Sequence, residues 1–389
     1  MMRFPRSLLP LAAAMMITPV HADDTGLDGL RAELARQKSL IAAQQQQLDA
    51  LAGSLEKQQA PSASATHVGF YGEVHYNAFR EEDPVIGKSN FHAHRAVILL
   101  SHEFADNLHF YSEVEFEGAP DSSDIETELE QLFIDWKINP ALSLNIGQFL
   151  LPVGLMNESH EPNVFYGVER NPVEEKIIPA TWWEKGVMAR FLPADGVAVD
   201  LAVHNGLRGD VAGLGGADGL REFRQEFGGS RAQDMGYTLR VKYQRIQGLE
   251  LGATIQRQDN INDRATATDH APATLLEAHA DWQVSDFRLR ALLARWAIDG
   301  NMAKALGADR MEGGYLEPSW KVTAQTGVFA RYNRWNTAAN AIGQKDEAQV
   351  NVGLNYWVHP QVVLKADIQS TNRPGGQGDG FNLGAGLSF

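Results

Sequence analysis

From Val68 to Phe389 the side chains take turns, one apolar and one polar, over segment after segment. Leu108, Phe110, Ser112, Val114 and Phe116 share one face, against His109, Tyr111, Glu113 and Glu115. Tyr237, Leu239, Val241 and Tyr243 oppose Thr238, Arg240, Lys242 and Gln244. Val350, Val352, Leu354 and Tyr356 oppose Gln349, Asn351, Gly353 and Asn355, and Phe381, Leu383, Ala385, Leu387 and Phe389 close the chain in the same manner. A period of two is the mark of a strand with two unlike faces. The segments run to about nine to twelve residues, where a soluble strand has about five or six. A tilted strand that crosses a bilayer needs the longer figure. A soluble β-sandwich also alternates, but in shorter strands.

The connections alternate in length. Short turns fall at Ala105-Asp106-Asn107, Asn139-Pro140-Ala141, Pro193 to Gly196, Gln247-Gly248, Ser285-Asp286, Thr323-Ala324-Gln325 and His359-Pro360. Longer polar loops fall near 81–90, 117–127, 150–183, 206–234, 258–273, 299–311, 336–347 and 370–380. Seven turns and eight loops join 16 strands, an even number that leaves both ends on the short-turn side, as an outer-membrane barrel requires. Closure removes the unpaired sheet edge that lipid does not tolerate. The expected fold is therefore all-β, a transmembrane antiparallel barrel of about 16 strands. Phe79, Phe91, Phe104, Trp136, Phe149, Trp282, Phe287, Trp320 and Tyr356 lie near segment ends, where rings suit the headgroup level.

Composition excludes other classes. The chain has no cysteine, so no disulfide framework and no thiolate metal site. Its net charge of -15 disfavours nucleic acid as a partner. After the N-terminus, no apolar run approaches the length of a membrane helix.

Residues 1–22 read as a signal peptide: Arg3 and Arg6, an apolar stretch from Leu8 to Ile17, and small residues at Val20-His21-Ala22. Cleavage before Asp23 removes two arginines and takes the net charge from -15 to -17. Within 23–59, Leu27, Leu34, Ile41, Leu48 and Leu55 occupy heptad position a, and Leu30, Gln37, Gln44 and Leu51 position d. That pattern predicts an α-helical coiled coil that self-associates in the periplasm, with two Gln layers that set register. Residues 60–67 are a small-residue linker to the barrel domain, 68–389.

Gly147-Gln148-Phe149-Leu150-Leu151-Pro152-Val153-Gly154 leads from a strand into the longest loop, which continues through Phe165-Tyr166-Gly167-Val168-Glu169-Arg170 and Ile177-Ile178-Pro179-Ala180-Thr181-Trp182-Trp183-Glu184. This region resembles the phosphate-selective porin O/P family, and the similarity extends over roughly residues 68 to 389. The resemblance implies a homotrimer of 16-stranded barrels in the outer membrane of a Gram-negative cell. Each barrel would have its own pore, narrowed by an infolded third loop. It also implies pore walls lined with arginine and lysine in the anion-selective members; the acidic balance of this chain departs from that pattern.

The face opposite the apolar one should line the lumen. Its basic members include Arg95, Arg190, Arg240, Lys242, Arg288, Arg290, Lys321, Arg331 and Lys365. Its acidic members include Glu113, Glu115, Asp135, Asp200, Glu250, Glu277, Asp281, Glu317 and Asp367. Arg240-x-Lys242 and Arg288-x-Arg290 each put two cations on one strand face and are the best candidates for a basic track; pairing with neighbouring acids is the alternative. Loop 150–183 exceeds ordinary connection length and, as the third long loop, is the natural constriction; an extracellular cap is the alternative. It carries Glu158, His160, Glu161, Glu169, Arg170, Glu174, Glu175 and Lys176, with Tyr166, Trp182 and Trp183 to pack it against the wall. Loop 206–234 holds Arg208, Arg221, Arg224 and Arg231; it either gathers anions at the mouth or is simply a mobile, solvated loop.

No catalytic signature is present. His160-Glu161 lacks the second helical histidine of a zinc protease, and no serine sits in a Gly-x-Ser-x-Gly elbow. His92-x-His94 shares a strand face, which two polar lumen or rim residues explain more simply than a metal. The expectation is a porin without cofactor that passes small hydrophilic solutes, with anions such as phosphate favoured and outer-membrane lipid around it. The alternatives are a structural tether between membrane and periplasm with a plugged barrel, and an outer-membrane lipase-like enzyme.

Overall fold

The computed structural model describes residues 65–83, 87–118, 125–216, 219–263, 269–372 and 378–389, besides the single helical residue Lys38. The signal peptide, the coiled coil and most of the linker lie outside the described residues.

Sixteen strands follow one another: β1 Thr66–Asp83, β2 Gly87–Ala105, β3 Leu108–Gly118, β4 Ile125–Asn139, β5 Leu142–Leu150, β6 Trp183–Ala194, β7 Val197–His204 and β8 Gly236–Tyr243. Then come β9 Leu249–Gln258, β10 Ala273–Val284, β11 Phe287–Ile298, β12 Arg310–Lys321, β13 Thr326–Asn336, β14 Glu347–His359, β15 Val362–Thr371 and β16 Gly380–Ser388. Each pairs antiparallel with its sequence neighbours, and β1 pairs with β16, so the sheet is a closed barrel without a free edge. Tyr71 opposes Ser388 and Phe79 opposes Gly380 across the seam. Phe389 exchanges two backbone hydrogen bonds of 2.8 Å with Phe70, and the two rings stack at 5.7 Å.

The seven short turns stand where the sequence put them. At Asp195-Gly196 the glycine has φ of 66°, the left-handed geometry that a tight hairpin demands. The first loop is shorter than the expected 81–90, because β1 continues to Asp83 and β2 begins at Gly87. The polar members of the alternating faces point inward: Arg240, Asn351, Asn355, Asp367 and Asn382 are all buried. Their apolar neighbours point outward, Leu239, Val241, Val352, Leu354 and Leu383 among them. No helix among the described residues is long and apolar enough to cross a membrane.

Two aromatic assignments need correction. Phe79 and Phe149, expected at headgroup level, are buried inside the barrel. Phe79 shares the inward parity of Tyr71 and His75, and Phe149 belongs to the apolar cluster that the third loop forms in the lumen. Phe91, Phe104, Trp136, Trp282, Phe287, Trp320 and Tyr356 do face outward and are exposed.

Two β-bulges shift the parity. In β2 the pairing jumps from Glu73↔Arg95 to Val74↔Ala93, which leaves His94 unopposed. In β4 it jumps from Glu113↔Gln131 to Val114↔Leu129, which leaves Glu130 unopposed. A bulge bends its strand and re-aims side chains. Here both bulges turn a polar residue toward the same stretch of inner wall, formed by β1 to β4.

Candidate functional site in the lumen

The third long loop, residues 151–182, folds into the barrel. Leu151, Val153, Val168, Val173, Ile177, Ile178 and Trp182 are completely buried. Ile177 carbonyl accepts from Trp296 Nε1 on β11 at 2.8 Å, and Phe165 carbonyl accepts from Asn355 Nδ2 on β14 at 2.9 Å. Val168 N–H donates to Asp367 on β15 at 2.8 Å. Arg331 on β13 donates to the carbonyls of Tyr166 and Glu169, each at 3.2 Å, and Arg95 on β2 donates to that of His160 at 2.7 Å. Tyr166 packs between Phe329 and Trp357, and Trp182 packs on Trp296. A β-carbon at Gly327 would collide with the Tyr166 hydroxyl, and one at Gly386 with Pro162, so glycine on the wall gives the loop its room.

Glu174 holds the loop's two arms together. It is fully buried and accepts from Leu155 N–H at 2.6 Å, Met156 N–H at 2.8 Å, Asn171 Nδ2 at 3.1 Å and Tyr315 OH on β12 at 2.8 Å. Four donors satisfy one desolvated carboxylate, the condition for leaving it in an apolar surround. Among the other loop residues of interest, Glu161 is half-buried, and Glu175 pairs with Lys176 at 3.8 Å.

The wall cations expected to form a basic track are paired. Arg240 bonds Asp200 at 2.6 Å and also binds Glu158 of the loop, and Arg190 bonds the same two acids at 2.6 and 3.2 Å. Lys242 faces Glu250 at 3.6 Å. Arg288 and Arg290 both hold Asp281, the former through two nitrogens, and Arg331 pairs with Glu317 at 3.2 Å. Arg95 bonds Glu73 at 2.7 Å. Lys365 differs: its Nζ is buried without a hydrogen-bond acceptor and stands 3.4 Å from the centre of the Phe165 ring. Cross-strand register decides such pairing, so no single strand's sequence could disclose it.

A separate basic group sits where the third and fourth loops meet. Arg170, Arg221 and Arg224 line a cavity of 380 Å³ together with His94, Glu115, Glu117, Glu169, Glu175 and Glu222. The closest partners of all three arginines are neutral oxygens. Arg221 donates to Ala180 carbonyl and Arg224 to Thr181 carbonyl, both at 2.5 Å, and Arg170 donates to Thr181 Oγ1 at 3.0 Å. Their nearest carboxylates, Glu117 and Glu128, stand 3.7 Å from Arg221 and Arg224. Burial, then the charges of Arg95 and Arg221, lowers the pKa of Arg170. Burial and the neighbouring Arg221 bring Arg224 down to about 10. Burial opposes the charge on Arg221 as well, but Glu117 and Glu175 outweigh it and raise its pKa. Burial and like charge thus work against Arg170 and Arg224, while the acids of the same cavity favour the charge on Arg221.

Several inward residues were missed from sequence. On the β1–β4 wall, Tyr71 OH donates to Glu113 at 2.7 Å and lies 2.9 Å from His160 Nε2, which is 3.4 Å from Glu130. Asn77 and His75 both reach Glu169 of the loop, at 2.9 and 3.0 Å. The parity switch was legible for Glu130: Ile125, Thr127 and Leu129 are outward at odd numbers, then Ile134 and Trp136 at even ones.

Comparison with known proteins agrees with this architecture. An uncharacterized protein of Aquifex aeolicus (strain VF5) is 26% identical over 336 residues, 77% of this chain and 74% of that protein. Among solved structures, the outer membrane channel DcaP of Acinetobacter baumannii superposes with a TM-score of 0.58 at 13% identity, covering 84% of this chain and 98% of the other. The anion-selective porin from Comamonas acidovorans gives 0.55 at 11% identity over the same shares. At those identities the likeness is one of fold. The model of the family described as phosphate-selective porin O and P matches residues 68–368, so this chain belongs to that family of outer-membrane porins.

Proposed function

We propose that the chain passes small hydrophilic solutes passively and favours anions, phosphate among them, with the third loop setting the steric cutoff. One observation carries the anion preference: Arg170, Arg221 and Arg224 converge on one water-accessible cavity with their shortest hydrogen bonds to neutral oxygens, though five glutamates line it with them and Glu117 and Glu128 stand 3.7 Å from Arg221 and Arg224. Guanidinium N–H groups not used in those bonds are the donors offered to a passing anion. The paired wall cations contribute little net field, because each sits against an acid. Weak sites of this kind suit a channel, which must bind well enough to admit a solute and loosely enough to release it. The family name and the fold shared with the Comamonas porin point the same way.

In the same reading, residues 1–22 are removed on export, the heptads of 23–59 associate in the periplasm, 60–67 link them to the barrel, and the assembly is a homotrimer. The test is the reversal potential of single channels in a salt gradient, with phosphate added as competitor. A potential on the anion side that phosphate diminishes supports the proposal. A cation-side potential refutes the preference, and absence of conductance in folded protein favours a plugged barrel acting as a tether.

A further inference from the structure

The bulge in β2 assembles three imidazoles, one from β1 and two from β2, that belong to no helical or catalytic motif. His75 on β1 and His92 on β2 are register partners, and the unopposed His94 turns in beside them. Ring centroids are 4.5 Å apart for His75 and His94, 5.7 Å for His75 and His92, and 5.6 Å for His92 and His94. One ring nitrogen from each of the three lies within 4.8 Å of the other two. Carboxylates close the arrangement: Glu73 Oε2 is 3.2 Å from His75 Nε2, and Glu169 Oε1 is 3.0 Å from His75 Nδ1.

A simpler explanation covers only part of this. A protonated His75 between Glu73 and Glu169 is a buried ion pair that ties the loop to the wall. It gives no reason for two further imidazoles at the same point, nor for His92 Nδ1, which is buried and makes no hydrogen bond. Three imidazoles beside a carboxylate are a donor set for zinc, copper or nickel rather than for magnesium or calcium, which prefer oxygen alone. His94 also lines the arginine cavity, so one of the three imidazoles borders a space large enough for a hydrated ion.

We propose that His75, His92 and His94 form a binding site for a borderline divalent transition metal of the zinc class, with Glu169 or Glu73 able to add a carboxylate oxygen. His75 and His94 lie nearly parallel, 15° apart, so ligation exchanges their stacking for a shared ion in both ring planes. The ion would place positive charge beside Arg170 and link β1, β2 and the third loop at one point. This inference stands apart from the anion preference and survives its failure.

Zinc binding to the purified full-length porin in detergent tests it, by calorimetry with Mg²⁺ as the hard-ion control. One Zn²⁺ per chain is expected, unaffected by excess Mg²⁺. Loss of a single outer-sphere partner costs about 10–100-fold in metal affinity, so H92N/H94N, which removes two ligands, should weaken binding by more than about 100-fold. X-ray absorption on the zinc-loaded wild type should show imidazole scattering with nitrogen at about 2.0–2.1 Å; that readout needs no variant. Equal binding by wild type and a folded H92N/H94N, displacement by Mg²⁺, or an all-oxygen shell overturns the proposal.

Discussion

Replacing Glu174 with Ala is expected to free the third loop and widen the channel. The carboxylate accepts four hydrogen bonds, from Leu155 N–H, Met156 N–H, Asn171 Nδ2 and Tyr315 OH. Each buried donor left without a partner costs about 1–3 kcal/mol. Removal of the carboxylate also relieves its own desolvation, so the lower figure applies, and four donors come to about 4 kcal/mol. Water entering the gap can recover about half. The remaining figure of about 2 kcal/mol shifts the docking equilibrium of the loop by about thirty-fold. Glu174→Gln should do less, since its Oε1 still accepts from the two backbone donors. Gly154→Ala reaches the same latch from the other side: φ there is +74°, and an added β-carbon would stand 2.5 Å from Glu174 Oε1. The assay is unitary conductance in planar bilayers, joined to liposome swelling with sugars of increasing size. Conductance and size cutoff should rise in the order wild type, Glu174→Gln, Glu174→Ala. A folded Glu174→Ala barrel with unchanged conductance and cutoff would show that the loop is held elsewhere, and the latch argument fails.

Three further outcomes are expected. R170Q/R221Q/R224Q should move the reversal potential toward cations and weaken phosphate competition several-fold; an unmoved potential removes these arginines from selectivity. Changing Arg240, Lys242, Arg288 and Arg290 together to Gln should also move it toward cations, because Asp200 keeps only Arg190, Glu250 loses Lys242 and Asp281 loses both its arginines, and an unchanged potential excludes them as a track. Arg240→Gln alone leaves fully buried Asp200 with Arg190 at 2.6 Å as its remaining cation, so the cost stays below the figure of about 3–5 kcal/mol for a fully unpaired buried charge; thermal unfolding in detergent should begin at lower temperature, and D200N/R240Q should recover part of the loss.

Much of the barrel was legible because its physics is local. Lipid on one side and water on the other impose a two-residue rhythm, and each hairpin needs a turn, so strand number and turn positions follow from a single chain. Loop 150–183 announced itself by length. What stayed hidden depends on neighbours in space. Whether Arg240 acts freely or is held by Asp200 and Glu158 depends on the register of β7 against β8 and on the path of the loop. The work of Glu174 lies in distant backbone donors, and it reads in sequence as one more acid in an acidic loop. Phe79 and Phe149 show the limit of position alone: a ring near a strand end belongs to the headgroups only when its parity points outward.

The seam between β1 and β16 joins residues separated by nearly the whole barrel domain, with Phe70 clasping Phe389. Contacts so remote in sequence form slowly, since a long loop must close before they are rewarded. The first strand therefore has to wait for the last. Until the final residues arrive, both border strands carry raw hydrogen-bonding rows, open to joining the wrong chain.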